Sequence, residues 1–225
     1  MQYNQDYKLK RGNIVHTLNK GFTLAEVLIT LLIIGVIASI VIPGLIADSQ
    51  NVEFKIAAKK AYAELSAAIK QMKQDNVTLN GYIGNSCSFK PDFVKYFNVV
   101  QDCGNEDCVP GSYTSDMYKS LAGDPAYTAY GAEGQFVINN GMFINIQNST
   151  SVSSGIMIIV DVNGYKKGPN VYGKDTFMFD LINDVLLPMG APGTQFLATS
   201  YCNKSSSSAY QGFGCAINVI KGTDY

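Results

Sequence analysis

The feature that most constrains this chain is a long stretch without a charged side chain, residues 27–47. It is rich in Leu, Ile and Val, and it is long enough for the roughly 20 apolar residues that a helix needs to cross a bilayer. The polar segment before it carries the positive charges of Lys8, Lys10, Arg11 and Lys20. Because positive charge before an apolar run stays on the cytoplasmic side, the pattern predicts one membrane-spanning helix with the rest of the chain translocated.

A cleaved secretory signal is the first alternative for this N-terminal pattern. Such a signal has an apolar region of about 7–15 residues followed by a cleavage site with small residues. Here the apolar run is longer, and Gly21 precedes it instead of following it. The pattern therefore disfavours a cleaved secretory signal. Hydropathy alone also fits an uncleaved signal anchor.

Glu26 is an unusual residue at the start of this apolar helix. One interpretation places its carboxylate at the membrane interface, where a charge costs less than the roughly 2.5–3.5 kcal/mol expected at the bilayer centre. The other gives it a specific partner. Cleavage after Gly21 would create an α-ammonium on Phe22, which could pair with the Glu26 carboxylate of a packed neighbour away from water.

The residues around this junction resemble the cleavage and methylation signature of type IV pilins and of type II secretion pseudopilins. The resemblance is carried by Gly21-Phe22-Thr23-Leu24-Ala25-Glu26 and the apolar helix that follows. It implies that prepilin peptidase removes residues 1–21 as a cytoplasmic leader and methylates the new Phe22 amine. It also implies that Glu26 guides the subunit into a filament, and that Gly35, Pro43 and Gly44 allow the packed helix to bend or unwind locally.

The same resemblance implies the partners and the location of the protein. The partners would be identical or homologous pilin subunits, prepilin peptidase, the inner-membrane assembly platform and membrane lipid. The chain would be held in the inner membrane by one pass, with its head outside the cytoplasm, before it enters a filament. No cofactor is required by this interpretation.

Helical periodicity continues beyond the apolar run. An apolar stripe recurs at steps of three and four residues, which is typical of an amphipathic helix. Its members are Phe54, Ala58, Ala61, Leu65, Ala68 and Met72. Since the period resumes directly after Pro43, this proline is expected to kink the helix without ending it. We therefore predict a membrane or filament-core half at 22–47 and an amphipathic half at 48–77.

The remainder, residues 78–225, is predicted to form a head with an antiparallel sheet, which makes the fold α+β. The stretch 78–134 is expected to be largely irregular, and an Asn-Gly turn at 139–141 indicates a hairpin. Candidate strands lie at residues 135–138, 142–146, 155–162 and 175–182, while residues 215–220 are expected to close the sheet or lie along it. A long helix packed on such a sheet is what pilin subunits look like.

All five cysteines lie in the translocated half, where an oxidising exterior makes disulfides the default. The resemblance to pilins implies a bond between Cys202 and Cys215, because pilins often close a C-terminal loop in this way. Cys103 could pair with Cys108, or either of them could pair with Cys87, and one thiol is left over. The spacing of Cys103 and Cys108 also fits half of a zinc site, which is the alternative for this pair.

Residues 161–175 contain four oxygen-bearing side chains, namely Asp161, Asn163, Asn170 and Asp175. Calcium takes 6–8 oxygen ligands, and major pseudopilins hold calcium in a loop at the sheet edge, so the pattern suggests a calcium site. The alternative is an Asx-rich turn between strands that binds no ion.

Composition excludes several functions. The only Arg and the only His, Arg11 and His16, lie in the predicted leader, so the mature chain would lack His-dependent nucleophilic catalysis. A net charge of −1 gives no electrostatic signature of nucleic-acid binding. The sequence therefore predicts a non-enzymatic subunit of a type IV pilus-like filament. The alternatives are a type II secretion pseudopilin and, from another class, a monomeric membrane-anchored binding module.

Overall fold

The computed structural model describes residues 21–78, 82, 88–104, 117–127, 134–148 and 155–223. The chain divides into two compact units, Met1–Ile46 and Ala47–Tyr225. One helix, α1 (Leu24–Gln74), runs through the end of the first unit and the start of the second. Pro43 lies inside this helix, which confirms the prediction that the proline does not end it.

In the first unit the helix is exposed on nearly all of its surface. In the second unit one of its faces is buried, and the predicted stripe is confirmed. Its six residues are all buried, and Ile69 is buried beside them. The ring of Tyr62 stacks on Phe179 of the sheet, with 5.8 Å between the ring centroids. Three of the buried stripe residues are Ala, and such small side chains allow the helix backbone to approach its neighbours closely.

The second unit contains a six-stranded antiparallel sheet in which each strand pairs with the next in sequence. This confirms the α+β architecture. The strands are β1 (Val99–Asp102), β2 (Gly134–Ile138), β3 (Phe143–Asn148), β4 (Gly155–Asp161), β5 (Thr176–Ile182) and β6 (Val185–Pro188). Short helices flank them, namely α2 (Lys90–Phe93), α3 (Ala198–Tyr201) and α4 (Ala216–Lys221), with 3₁₀ turns at Val94–Tyr96 and Phe213–Cys215.

The predicted hairpin is confirmed. Strands β2 and β3 are joined at the Asn-Gly turn, where the Ile138 N–H donates to Met142 O at 3.1 Å. Gly141 adopts a φ of 88°, a conformation that most side chains disfavour. The later pairing of β4 with β5 is also confirmed, because these strands coincide with the two apolar stretches identified in the sequence.

Residues 215–220 do not close the sheet as a strand, and instead they pack beside β5 and β6 as a helix. This segment forms the end of a 3₁₀ turn followed by α4, which buries Ala216 and Val219 and is capped by Gly222 at a φ of 75°. A short apolar run does not distinguish a strand from a buried helix by periodicity, and packing decided between them. Two strands were also missed. Strand β1 lies in the stretch expected to be irregular, and β6 follows a two-residue turn at Asn183 and Asp184.

Candidate functional site

The N-terminus of α1 is capped by reciprocal hydrogen bonds between Thr23 and Glu26. The Thr23 backbone N–H and hydroxyl both donate to the Glu26 carboxylate, each at 2.8 Å. In return, the Glu26 N–H donates to the Thr23 hydroxyl oxygen at 3.2 Å. This reciprocal arrangement is a capping box, which satisfies backbone donors that have no partner within the helix. The pattern Thr-x-x-Glu is visible in the sequence, but the sequence reasoning considered only the charge of Glu26.

The predicted cleavage junction lies just before this cap. Gly21 and Phe22 precede the helix, and the Phe22 side chain is 87% exposed. A Cβ added to Gly21 would meet no atom within 4 Å, so neither packing nor a crowded backbone requires glycine there. Contacts among the described residues therefore do not account for glycine at this position.

The residues that follow form an exposed apolar surface. Among the described residues, α1 is the one helix long and apolar enough to cross a membrane, by its length and composition. An uninterrupted surface of this kind is stable only against lipid or another apolar protein surface. Its large exposed side chains include Leu28, Leu31, Leu32, Ile34, Ile37, Ile40, Val41 and Leu45.

The three residues expected to allow bending lie within regular helix. The backbone is helical through Gly35, Pro43 and Gly44, and a Cβ added to either glycine would meet no atom within 4 Å. Contacts with the described residues therefore do not require glycine at positions 35 and 44. Bending or unwinding at these positions in a filament stays a prediction.

The family described as the prokaryotic N-terminal methylation motif matches residues 17–42. The match spans the junction, the cap and most of the exposed apolar helix. The chain carries a prepilin-type signal. This confirms the resemblance drawn from residues 21–26, and it supports a type IV pilin-like or pseudopilin protein. No curated protein and no solved structure matches the chain.

The disulfide implied by the resemblance is confirmed in the second unit. Cys202 and Cys215 are bonded, with their Cα atoms 5.0 Å apart. Cys103 is also disulfide-bonded, so its thiol is not available as the zinc ligand considered in the alternative interpretation. The pairing of Cys87 and Cys108 lies outside the described residues.

The four candidate calcium ligands lie in one compact loop region. The Asp161 carboxylate accepts the Tyr118 hydroxyl at 2.9 Å and the Gly164 N–H at 2.9 Å. The Asp175 carboxylate accepts the Asn170 N–H at 2.8 Å and the Val171 N–H at 2.6 Å. Both carboxylates are therefore used to hold the turn, which is the arrangement expected of an Asx-rich loop.

Burial shifts the pKa values of the two carboxyl groups in this loop. Burial raises the pKa of the Asp161 carboxyl to about 7, and the nearby Asp175 charge adds to this shift. Burial also raises the pKa of Asp175. In the part of the chain that the structure describes, no group of three or more His, Cys, Asp or Glu side chains could hold a metal ion. Calcium binding by the four residues stays a prediction that direct titration must decide.

The sequence reasoning missed an ion pair at the sheet edge between a buried lysine and an exposed carboxylate. Lys90 of α2 is only 3% exposed, and its ammonium donates to the Asp102 carboxylate and to Gly104 O. A Cβ on Gly134 would lie 2.6 Å from the Lys90 side chain, so this glycine leaves the space that the lysine occupies. Nothing in the sequence pattern distinguishes Lys90 from the exposed lysines, because its burial depends on β1 and β2.

Proposed function

We propose that the protein is a structural subunit of a type IV pilus-like filament, processed by prepilin peptidase after Gly21 and methylated at Phe22. The observation that carries this proposal is the prepilin-type motif at residues 17–42, which includes the start of an apolar helix whose side chains are exposed among the described residues. In the membrane this helix would be covered by lipid, and in a filament by the helices of other subunits.

The cap at the helix N-terminus suggests how the assembly contact would work. Removal of the leader would leave a positive α-ammonium on Phe22, one residue before the cap at Thr23. The N-terminal end of a helix is itself partially positive, so a bare ammonium there is unfavourable unless a carboxylate lies close by. Glu26 is the acidic residue in the first turn of α1. Its carboxylate would neutralise the ammonium of an adjacent subunit while its backbone remained in the helix.

The proposed domain organisation follows from this function. Residues 1–21 would be the cytoplasmic leader, 22–47 the membrane and filament-core half of the helix, 48–77 the amphipathic half, and 78–225 the extracytoplasmic head. Filament subunits, prepilin peptidase and an inner-membrane assembly platform would be the partners, and the chemistry of the protein would be assembly instead of catalysis.

The N-terminus of the native protein tests the proposal directly. Mass spectrometry of the chain purified from its own membranes should show a polypeptide beginning at methylated Phe22. An intact leader would contradict processing and would favour the alternative of a monomeric anchored binding module. The matched control is the same tagged chain expressed in a strain that lacks prepilin peptidase, where it should retain its leader.

A type II secretion pseudopilin remains the second candidate, supported by the same motif. The Cys202–Cys215 bond near the C-terminus supports the pilus subunit, since pilins often close their C-terminal loop in this way. Immunogold labelling separates the two: long extracellular filaments containing this chain support the pilus, whereas label confined to the cell envelope supports the pseudopilin.

A further inference from the structure

The sequence contains three Asn-x-Ser/Thr triplets, the pattern that accepts N-linked glycans on the surface of translocated proteins. They lie at 76–78 (Asn-Val-Thr), 148–150 (Asn-Ser-Thr) and 203–205 (Asn-Lys-Ser), and none has the middle Pro that prevents the transfer. The triplet alone says little, because Asn, Ser and Thr are common in loops. The structure describes all three residues of the first and the third triplet, and it distinguishes between them.

The triplet at 203–205 lies wholly at the surface. Asn203, Lys204 and Ser205 are all exposed, and they begin the loop that the Cys202–Cys215 bond closes. Residues 202–212 contain neither helix nor strand. A modifying enzyme could therefore draw the triplet into an extended conformation without removing a side chain from the core.

The side chain of Asn203 is oriented by one hydrogen bond. Its Oδ1 accepts the Ser205 N–H at 2.8 Å, which forms an Asx turn. No described residue accepts a hydrogen bond from its Nδ2, so the nitrogen that would carry a glycan is available. The Asn203 backbone N–H donates to Oε1 of the buried Gln211 at 2.9 Å, which fixes the position where the triplet begins.

The triplet at 76–78 is exposed at its ends but held in its middle. Asn76 follows α1 with a left-handed φ of 59°, and the Val77 N–H donates to Met72 O at 2.9 Å. The Val77 side chain is half-buried and packs against the core. An extended conformation there would break the hydrogen bonds that end the helix and would expose Val77. Asn76 therefore has a structural role, since Asn tolerates the left-handed conformation that ends a helix.

We propose that Asn203 is an acceptor for an N-linked glycan, attached after the second unit has crossed the membrane. The proposal rests on this translocation, which the proposed filament subunit shares with its alternative, the anchored binding module. The donor would be a glycan carried on a lipid pyrophosphate, and the catalyst would be a membrane-bound oligosaccharyltransferase.

The transfer is a substitution at the anomeric carbon of the first sugar. The Asn203 Nδ2 forms a bond to this carbon, and the bond from the carbon to the pyrophosphate oxygen breaks. The lipid pyrophosphate leaves with the bonding electrons. Nδ2 loses one of its two protons to a base of the transferase and keeps the other, and no atom is oxidised or reduced.

Intact-mass spectrometry of the full chain, purified from its own membranes, tests this proposal. The wild type should be heavier than its polypeptide by the mass of a glycan, and fragmentation that preserves the modification should place that mass on Asn203. Asn203→Gln should remove all of the mass that is carried at this position. An unmodified Asn203 in the wild type would overturn the proposal.

Two substitutions at the third position separate the acceptor pattern from a change in folding. Ser205 contributes its backbone N–H to the Asx turn, so Ser205→Ala keeps the turn and removes only the hydroxyl. This variant should lose the glycan, whereas Ser205→Thr should retain it. Near-ultraviolet circular dichroism of both variants should match that of the wild type. A glycan that persists on Asn203 in Ser205→Ala would overturn the proposal.

The matched control is Asn76→Gln, because it makes the same change in the other triplet that the structure describes. This variant should carry the glycan on Asn203 as the wild type does. Ser207→Ala tests linkage to a serine, since Ser207 is an exposed hydroxyl residue in the same loop. A glycan that is lost in Ser207→Ala but kept in Asn203→Gln would be linked through oxygen, and the proposal would be wrong.

The same spectra also report the N-terminus, which separates this proposal from the filament function. An intact leader together with a glycan on Asn203 would reject the filament function and still support the acceptor site. A chain that begins at methylated Phe22 with an unmodified Asn203 would reject the acceptor site and still support the filament function.

Discussion

The two halves of α1 belong to one helix but meet opposite surroundings. Residues 24–46 expose Leu, Ile and Val on nearly every side, whereas the second half buries one stripe beginning at Phe54 and exposes its lysines. Among the described residues nothing covers the first half, whereas the stripe of the second half is covered by the second unit. The family match at residues 17–42 covers most of the first half and none of the second.

The largest effect should follow from changing the cleavage junction. Gly21→Glu introduces a charged side chain at an exposed position, where an added Cβ meets no atom of the described residues within 4 Å. We expect complete retention of the leader, with the head folded as before, because the change lies far in sequence from the packed stripe. Mass spectrometry of the N-terminus measures the outcome. A chain that still begins at Phe22 would refute the assigned junction.

The next effect concerns Glu26 in the exposed half. Glu26→Val should block filament incorporation while leaving membrane insertion intact, since the substitution makes the helix more apolar and removes the partner of the Phe22 ammonium. Yield of sheared filaments and membrane fractionation are the two measurements. Normal filament yield would reject the assembly role of this carboxylate.

Thr23→Ala is the matched control for Glu26, because it removes the other half of the capping box. Loss of a cap costs about 1 kcal/mol of helix stability. If Glu26 acts only through the cap, the two variants should reduce assembly to the same extent. We expect Thr23→Ala to assemble much better than Glu26→Val.

A core truncation sharpens the contrast between the two halves. Leu65→Ala removes a side chain that is 1% exposed and should destabilise the head by about 2–5 kcal/mol. Leu31→Ala makes the same chemical change in the exposed half and should leave the unfolding temperature of the head unchanged. Near-ultraviolet circular dichroism of the full chain in detergent follows the transition. Equal decreases in unfolding temperature for Leu65→Ala and Leu31→Ala would contradict the difference in packing between the two halves.

The smallest effect is a pH dependence within the head. Burial raises the pKa of Asp161 to about 7, above its value in the unfolded chain, so the folded state favours the protonated form. The resulting stability is present below about pH 4 and is lost as the pH rises to 7. The unfolding temperature of the wild type should therefore fall between pH 5 and pH 8.

Asp161→Asn removes this titration and should flatten that slope. The exposed Asp48→Asn is the control, and it should keep the slope of the wild type. A slope that persists in Asp161→Asn would assign the pH dependence to other groups, of which the buried Asp175 and Asp180 are the first to test, since burial raises the pKa of both.

Local patterns predicted much of the fold. The helical stripe, the hairpin at Gly141 and the strands that became β4 and β5 were all found from periodicity and turn residues. Strand β6 could also have been found, because Asn183 and Asp184 both adopt positive φ in a two-residue turn typical of hairpins. The Asn183-Asp184 dipeptide is a turn signal that can be read from the sequence alone.

The errors lie where the sequence carries no period. Residues 215–220 read equally well as a strand and as a helix, and their burial beside the sheet made them helical. Strand β1 has three of its four residues exposed, so it shows no alternation to detect. Its identity depends on pairing with β2, which lies more than thirty positions later in the chain.

The sequence by itself determined the prepilin-type signal and the apolar helix, because both depend on residues within a few turns of one another. The tertiary structure alone decided the burial of Lys90 beside Asp102 and a cavity lined by Lys55, Lys174 and Lys204. These side chains come from separate segments, and only the folding of the sheet and its loops brings them together. Helices and turns can be predicted from neighbouring residues, whereas contacts between charged side chains that are far apart in sequence depend on the packed chain.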